Sequence, residues 1–223
     1  MAYARDLSAF PLTRFAEVLT SVTLLPGRRV LADHIDEVVD RVAAEGVTDL
    51  EALRKMLARK GSADAIADRL GVDVAYVTLL RREVNSYRTK ASPLSDLDIF
   101  SDGELKRLEA NGIRSTKHLY DACAARADRA LLARSAGIEL ERIEDALGLA
   151  NLSRIGGVGP AFARFFMDLG IRGPDEVLAL DSGEVVNLYN ASLGKDPAQP
   201  RVVSKDIDYC KRYSEGLQAD IEW

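Results

Sequence analysis

The stretch NLSRIGGVGPAFARFFMDLGIRGPDEVLAL, residues 151–180, places a Gly-Val-Gly turn between two apolar segments. Gly157 and Gly159 allow the backbone to turn tightly and to approach another chain closely, because glycine has no Cβ. Val158, between them, is expected to point inward and join the two helices. Gly170 then ends the second segment before a new helix begins. These features predict a helical hairpin.

Helical periodicity extends through most of the chain, and the alternation typical of strands is almost absent. In HIDEVVDRVAAEGV, residues 34–47, four aliphatic side chains share one helical face at spacings of three and four. They are Ile35, Val38, Val39 and Val42. Gly46 is expected to end this helix, because glycine readily adopts the positive φ of a helix C-terminus. The pattern predicts an all-α protein.

Glycine followed by valine or isoleucine recurs after the predicted helices. One set precedes a capping stretch and a new helix, at Gly46, Gly112 and Gly170. A second set lies between them, at Gly71 and Gly137. The interval from Gly46 to Gly112 is identical to the interval from Gly71 to Gly137. Two equal offsets predict an internal duplication of short helical hairpins.

A domain boundary is predicted near RTKASPLSDLDIF, residues 88–100. Pro93 and its polar neighbours interrupt the helix that contains LLRREVNSY, because proline lacks the amide that a continuing helix requires. We therefore expect an N-terminal helical lobe over residues 1–91 and a C-terminal helical lobe over residues 92–223. The C-terminal lobe would contain the hairpin of residues 151–180.

The charge balance restricts the kind of partner. Thirty Lys and Arg residues against 35 Asp and Glu residues give a net charge of −5, whereas proteins that coat long nucleic acids are usually basic. Any nucleic-acid site must therefore be local. The two cysteines form no CxxC pair, and no apolar run reaches membrane-spanning length. The first residues do not form a signal peptide, so a cytoplasmic location without membrane contact is expected.

The hairpin resembles the helix-hairpin-helix motif. The residues that carry the resemblance are Leu152, Ile155, Gly157, Val158, Gly159, Ala163, Phe166 and Leu169. In DNA-binding members of that superfamily, amides of the turn bind a phosphate at a helix N-terminus, and a nearby basic side chain assists. The resemblance implies a nucleic-acid site at Arg154, Gly157, Val158, Gly159, Ala161 and Arg164. The chain departs from the pattern at Pro160, which has no amide, and at Ala161, where lysine is usual.

Most of the chain is also similar to an uncharacterised bacterial family of helix-hairpin-helix-containing proteins of unknown function. The similarity is carried, in order, by the motifs TLLPGRRVL, LRREVNSY, GIRSTKHLYD and RIGGVGPAFARFFMDLGI. This resemblance implies a fold rather than an activity.

A second candidate surface is the most basic stretch of the chain. Its cations are Arg81, Arg82, Arg88 and Lys90, against the single acid Glu83. One interpretation is an auxiliary nucleic-acid patch in which Tyr87 stacks on a base. The other is a solvated helix end whose cations complement the helix dipole. For a shorter basic pair, Arg28 and Arg29, ion pairs with Asp33, Asp36 or Glu37 of the following helix are expected.

No pattern in the sequence indicates catalysis. His34 and His118 lie far apart without the Cys or acidic spacing of a metal site. Neither a GxSxG nucleophile elbow nor a GxxxxGK[ST] phosphate loop occurs. We therefore expect no enzymatic activity, no metal and no cofactor.

Two functions follow from these observations. The first is a non-catalytic accessory protein that binds DNA or RNA through the hairpin, with the basic stretch as an auxiliary surface. The alternative is a protein-interaction scaffold or a dimerisation module, in which the hairpins are purely structural. In that case the partner is another protein or a second copy of this chain.

Overall fold

The computed structural model describes residues 3–21, 24, 26–58, 63–193, 201–218 and 220–223. Across these residues it contains thirteen α-helices, and no β-sheet is present among them. The predicted all-α class is confirmed. The helices are α1 (Leu12–Ser21), α2 (Val30–Ala44), α3 (Leu50–Ala58), α4 (Ala63–Leu70), α5 (Val74–Ser86), α6 (Asp102–Ala110), α7 (Thr116–Cys123), α8 (Arg126–Ala136), α9 (Leu140–Leu152), α10 (Pro160–Asp168), α11 (Pro174–Ala179), α12 (Ser182–Ser192) and α13 (Ser204–Ser214). Three short 3₁₀ helices lie at Leu7–Ala9, Pro26–Arg28 and Leu94–Leu97.

Two compact units make up the chain. The first is Asp6–Arg88, and the second combines Met1–Arg5 with Thr89–Trp223. The predicted boundary after residue 91 lies close to the division after Arg88. It assigns Met1–Arg5 to the N-terminal lobe, whereas these residues belong to the second unit. Within the described helices, none is long and apolar enough to span a membrane.

The first unit is built around α2 and α5. α1 packs on α2, while α5 contacts α2, α3 and α4. All four aliphatic residues of the predicted α2 face are buried, which confirms that face. Burial of such a stripe supplies most of the stability of a short helix, since isolated helices of this length are marginal in water.

The second unit is organised around α9. Every residue from Ala146 to Leu152 is buried, so this end of the helix is enclosed on all sides. Gly148 allows α10 to approach closely, because a Cβ at this position would overlap Met167 Sδ. The enclosed α9 leads directly into the Gly-Val-Gly turn, and it therefore fixes one side of the predicted hairpin.

The repeated glycines form one type of helix C-terminus. The φ angles are +81°, +81° and +80° at Gly46, Gly112 and Gly170, and +63° and +61° at Gly71 and Gly137. After each glycine, the next amide donates to the carbonyl five residues back, as Ile113 does to Leu108 at 2.9 Å. This is the Schellman motif, in which glycine takes a left-handed conformation that other residues adopt at a cost. The glycines are therefore explained by helix termination.

Helices of the two units match at the predicted offset. The interval between the starts of α3 and α7 equals the interval between the starts of α5 and α9, and both equal the interval from Gly46 to Gly112. The hydrogen bonds match as well: the Leu50 amide donates to Phe10 O at 2.9 Å, and the Thr116 amide donates to Ser92 O at 2.9 Å. Helices α2–α5 and α6–α9 are therefore two copies of one four-helix repeat.

An arginine donates to the last carbonyl of the equivalent helix in both copies. Arg41 at the end of α2 donates to the carbonyl of Leu70 at the end of α4. Arg107, at the equivalent position of the second copy, donates through Nε to the carbonyl of Ala136 at 2.6 Å. Cations at a helix C-terminus are favoured by the helix dipole. The match extends from helix positions to side-chain roles.

Helices α10–α13 form a third copy. α13 packs on α11 and α12, as α5 packs on α3 and α4 and α9 on α7 and α8. The Leu12 amide, on the helix before the first copy, donates to Thr48 O at 3.1 Å. Asn151 Nδ2, on the helix before the third copy, donates to Arg172 O at 2.8 Å. Asn151 is buried with both ends of its side-chain amide bonded, since its Oδ1 accepts from Arg154.

Candidate nucleic-acid interface

The predicted hairpin is formed by α9, a turn over residues 153–159, and α10. Gly157 has φ of +91°, in the left-handed region that favours glycine. Val158 is buried and its amide donates to Ile155 O at 3.1 Å, so its predicted inward position is confirmed. Phe166 is fully buried on α10, and Phe162 stacks against Phe165. The local geometry is therefore a packed helical hairpin.

The face of Gly157 on which a side chain would stand is covered by protein. A Cβ there would lie 2.7 Å from Cε1 of Tyr209 on α13. Such a distance is too short for any carbon–carbon contact, so the missing side chain makes room for this ring. The close approach that the Gly-Val-Gly turn allows is, on this face, an approach to α13 of the same unit.

The N-terminus of α10 remains exposed. Gly159 caps the helix in an extended conformation with no side-chain hydrogen bond, and Pro160 occupies the first helical position. Gly159 and Ala161 are exposed. The Ala163 amide donates to Gly159 O at 2.9 Å and closes the first turn. Amides at the start of a helix and the positive end of its dipole are the features that favour an anion.

Arg154 lies in the core, not on the turn surface where a phosphate contact requires it. It is 3% exposed. Its guanidinium donates to Tyr3 O at 2.8 Å, Tyr120 Oη at 2.9 Å, Asn151 Oδ1 at 2.6 Å and Gln218 O at 3.1 Å. Burial lowers the pKa of this guanidinium. The expectation of a phosphate contact is corrected, because the donors bind protein acceptors from four parts of the second unit.

Arg164 is half-exposed but is also bonded to protein. Its Nη2 donates to Leu97 O at 2.5 Å and to Asp98 O at 3.2 Å. Asp98 has φ of +50° and ends the 3₁₀ helix Leu94–Leu97. Arg164 therefore serves the last carbonyls of that helix, in the way that a basic side chain commonly does at a helix C-terminus.

The basic stretch is only partly available on the surface. Arg82, Arg88 and Lys90 are exposed, whereas Arg81 is half-buried with its Nε enclosed. The predicted stacking role of Tyr87 is wrong, because the ring is buried against Phe10 and Phe15 with centroid distances of 5.4 and 5.6 Å. Three exposed cations remain for an auxiliary contact.

The pair Arg28 and Glu83 shows what the sequence did not reveal. Glu83 is the only acid in the basic stretch, yet its side chain is fully buried and ion-paired to Arg28. The two residues are 55 positions apart in the sequence. Arg28 was expected to pair with acids of the following helix, so the sequence did not predict its pair with Glu83.

The described part of the chain contains two buried cysteines and no cluster of side chains with the composition of a metal site. Among the described residues, no group of three or more His, Cys, Asp or Glu side chains could hold a metal. Cys123 and Cys210 are buried free thiols, and burial raises the pKa of each to about 12. A thiol with such a pKa is almost entirely protonated at neutral pH and is a poor nucleophile.

One part of the chain matches a known protein family. Residues 99–191 match a family described as Domain of unknown function (DUF4332). The matched region runs from just before α6 to near the end of α12, and it contains the whole hairpin. No curated protein matches the chain, and no solved structure matches it either. The match covers less than half of the chain, and the description of the family gives no activity.

Proposed function

We propose that the chain is a non-catalytic helical-repeat protein that binds other proteins, and that its hairpins serve as architecture. One observation carries the proposal: both arginines flanking the Gly-Val-Gly turn, Arg154 and Arg164, donate to protein acceptors. A phosphate clamp depends on cations that face outward. Here Arg154 is buried, and the half-exposed Arg164 is bonded to the end of the 3₁₀ helix Leu94–Leu97.

Two further features support a protein partner. Stacked helical repeats present extended surfaces that commonly bind other proteins. The second unit also exposes large apolar side chains, among them Leu131 on α8, 59% exposed, and Leu188 on α12, 45% exposed. The net charge of −5 does not oppose protein association, whereas it opposes general attraction to nucleic acids.

Photo-crosslinking in cells that make the protein tests this proposal. A photoreactive amino acid replaces Leu131 or Leu188, with exposed Lys106 on α6 as the matched control position. We expect covalent adducts to a defined protein from the leucine positions, because exposed apolar side chains mark interfaces. The crosslinking reaction is then repeated with the two purified proteins. Adducts that disappear after nuclease treatment, or that form equally from Lys106, would contradict a protein-binding function.

The second candidate function is nucleic-acid binding. In that case the hairpin would be a member of the helix-hairpin-helix superfamily. It is favoured by the exposed start of α10, where Gly159 has no side-chain cap and Ala161 faces solvent. Any contact at this site would rest on these backbone amides and on the exposed part of Arg164. The exposed cations of the basic stretch would form a separate auxiliary surface. The partner would be DNA or RNA held through its phosphates.

The matched pair Ala161→Glu and Ala161→Gln tests this second candidate. Glutamate in the first turn stabilises the helix by about 0.3–1 kcal/mol and repels a phosphate, so it separates binding from folding. If the site binds phosphate, labelled DNA or RNA forms a complex that weakens steeply with salt, survives Ala161→Gln and is lost in Ala161→Glu. Absence of a complex at low salt, or its persistence in Ala161→Glu, counts against nucleic-acid binding.

A further inference from the structure

The segment of residues 220–223 lies in a groove of the second unit, which we call the Trp223 groove. Its walls are formed by the end of α7, the start of α8, the middle of α9 and the loop before α11. The residues that touch or flank the segment are Ala124, Arg126, Arg129, Gly148 and Arg172. All of them fall within residues 99–191, the region that matches the domain family, whereas the segment itself lies outside that region.

The groove holds the backbone of the segment from both sides. The Glu222 amide donates to Ala124 O at 3.1 Å, and Glu222 O accepts a hydrogen bond from Arg129 Nη2. Main-chain hydrogen bonds of this kind supply affinity in peptide recognition without depending on the side chains of the peptide. The groove therefore binds the main chain of the segment at Glu222.

The carboxylate of Glu222 supplies the cap that α8 lacks. Ala125 is the N-cap residue of α8 and has no side chain that can accept a hydrogen bond. Glu222 Oε2 accepts from the Arg126 amide at 3.4 Å, at the first residue of this helix. A negative charge at a helix N-terminus is favoured by the unsatisfied amides and by the helix dipole. This position selects an acidic residue.

The indole of Trp223 lies between two arginines. Cζ of Arg129 and Cζ of Arg172 are each 5.2 Å from the ring centroid, a distance at which a cation is attracted to an aromatic face. A Cβ at Gly148 would lie 3.8 Å from the edge of the ring, so the ring lies close to the backbone of α9. Trp223 keeps 42% of its surface exposed. This position selects an aromatic residue.

The two arginines differ in how firmly they are placed. Arg129 is 1% exposed and is held by Cys123 O at 2.9 Å and by Glu144 at 3.5 Å. Arg172 is partly exposed, with Asp145 at 3.8 Å. One side of the aromatic site is therefore rigid. Arg172, on the other side of the aromatic site, can be substituted without disrupting the core, so it is the residue to change.

We propose that the Trp223 groove is a peptide-binding site of the matched domain, and that residues 220–223 are its resident occupant. In trans it would accept a protein segment with an acidic residue followed by an aromatic one. The inference rests on the proposed protein-binding function and gives it a location and a ligand chemistry. The resident segment supports this occupant, since the Glu222 carboxylate accepts from the Arg126 amide and the Trp223 ring lies between Arg129 and Arg172.

Binding of the peptide GLQADIEW, residues 216–223, provides the test. The full chain carrying Trp223→Ala is compared with the wild-type chain by fluorescence anisotropy of the labelled peptide. We expect binding at least about tenfold tighter in the variant, because in the wild type the tethered segment competes at an effective concentration near the millimolar range. Arg172→Gln added to the variant lowers the affinity, while Arg134→Gln, on an exposed part of α8, leaves it unchanged.

A second measurement requires no variant. Trp223 is the single tryptophan of the chain, so its emission reports whether the segment is docked. Titration of the wild-type chain with GLQADIEF should displace the segment and shift the emission to the red, whereas GLQADIEA should not. The groove assignment fails if the folded Trp223→Ala chain binds GLQADIEW no better than wild type and the Trp223 emission stays constant. If the groove assignment fails but photo-crosslinking at Leu131 or Leu188 still gives protein adducts, the proposed protein-binding function is retained without the groove.

Discussion

Replacing Arg154 by methionine is expected to lower the free energy of unfolding by about 3 kcal/mol, because buried acceptors then lose their donor. The acceptors are Tyr3 O, Tyr120 Oη, Asn151 Oδ1 and Gln218 O. Methionine fills much of the volume of the arginine stem but donates no hydrogen bond. Tyr3 and Gln218 belong to segments near opposite ends of the chain, so their attachment to the second unit is weakened as well. Urea unfolding followed by circular dichroism measures the change.

Arg88→Met is the matched control for this substitution. Arg88 follows α5 at the position that Arg154 occupies after α9, the equivalent helix of the second copy. Arg88 is exposed, so the same change there should alter stability by no more than about 0.5 kcal/mol. Equal effects of the two substitutions would mean that the buried network around Arg154 does not stabilise the fold.

Replacing Arg28 by methionine is expected to destabilise the first unit by about 3 kcal/mol or more, since it leaves a buried carboxylate without its arginine. The Glu83 side chain is fully buried in α5, and Arg28 comes from the 3₁₀ helix before α2. The loss should appear as a lower urea midpoint. Arg29→Met, one residue along and exposed, is the control and should have little effect.

A double variant separates the charge from the packing. Arg28→Met combined with Glu83→Leu removes both charges, and we expect it to recover most of the stability that Arg28→Met loses, because replacing a buried ion pair by apolar residues is often neutral or stabilising. A double variant as unstable as Arg28→Met alone would show that the stability depends on the shape of these side chains and not on the pairing of their charges.

Helix positions were predictable because they depend on neighbours in the sequence. The aliphatic face of α2 follows from residues spaced three and four apart, and its end follows from the single residue Gly46, whose positive φ only glycine adopts without strain. The equal glycine intervals repeat these local signals, and the structure places matching helices at that offset. The third copy shares one of these signals, at Gly170.

The candidate site was predictable only in its backbone. The turn at Gly157 and Gly159, the inward Val158 and the exposed Ala161 all follow from local conformation. The roles of the cations do not. Arg154 and Arg164 stand at the expected spacing from the turn, but their hydrogen-bond partners lie in other elements. The Trp223 groove was not predicted as a binding site, because its walls come from four places in the chain.

The all-α class, the glycine-terminated helices and the duplication follow from local sequence, because hydrogen bonds and steric limits within a few residues decide them. Which charges are buried and which face solvent depends on tertiary packing. Arg88 and Arg154 occupy the same position in two copies of one repeat, yet the first is exposed and the second is enclosed by Tyr3, Tyr120 and Gln218. Burial is set by the residues that surround a side chain in three dimensions, and these are distant along the chain.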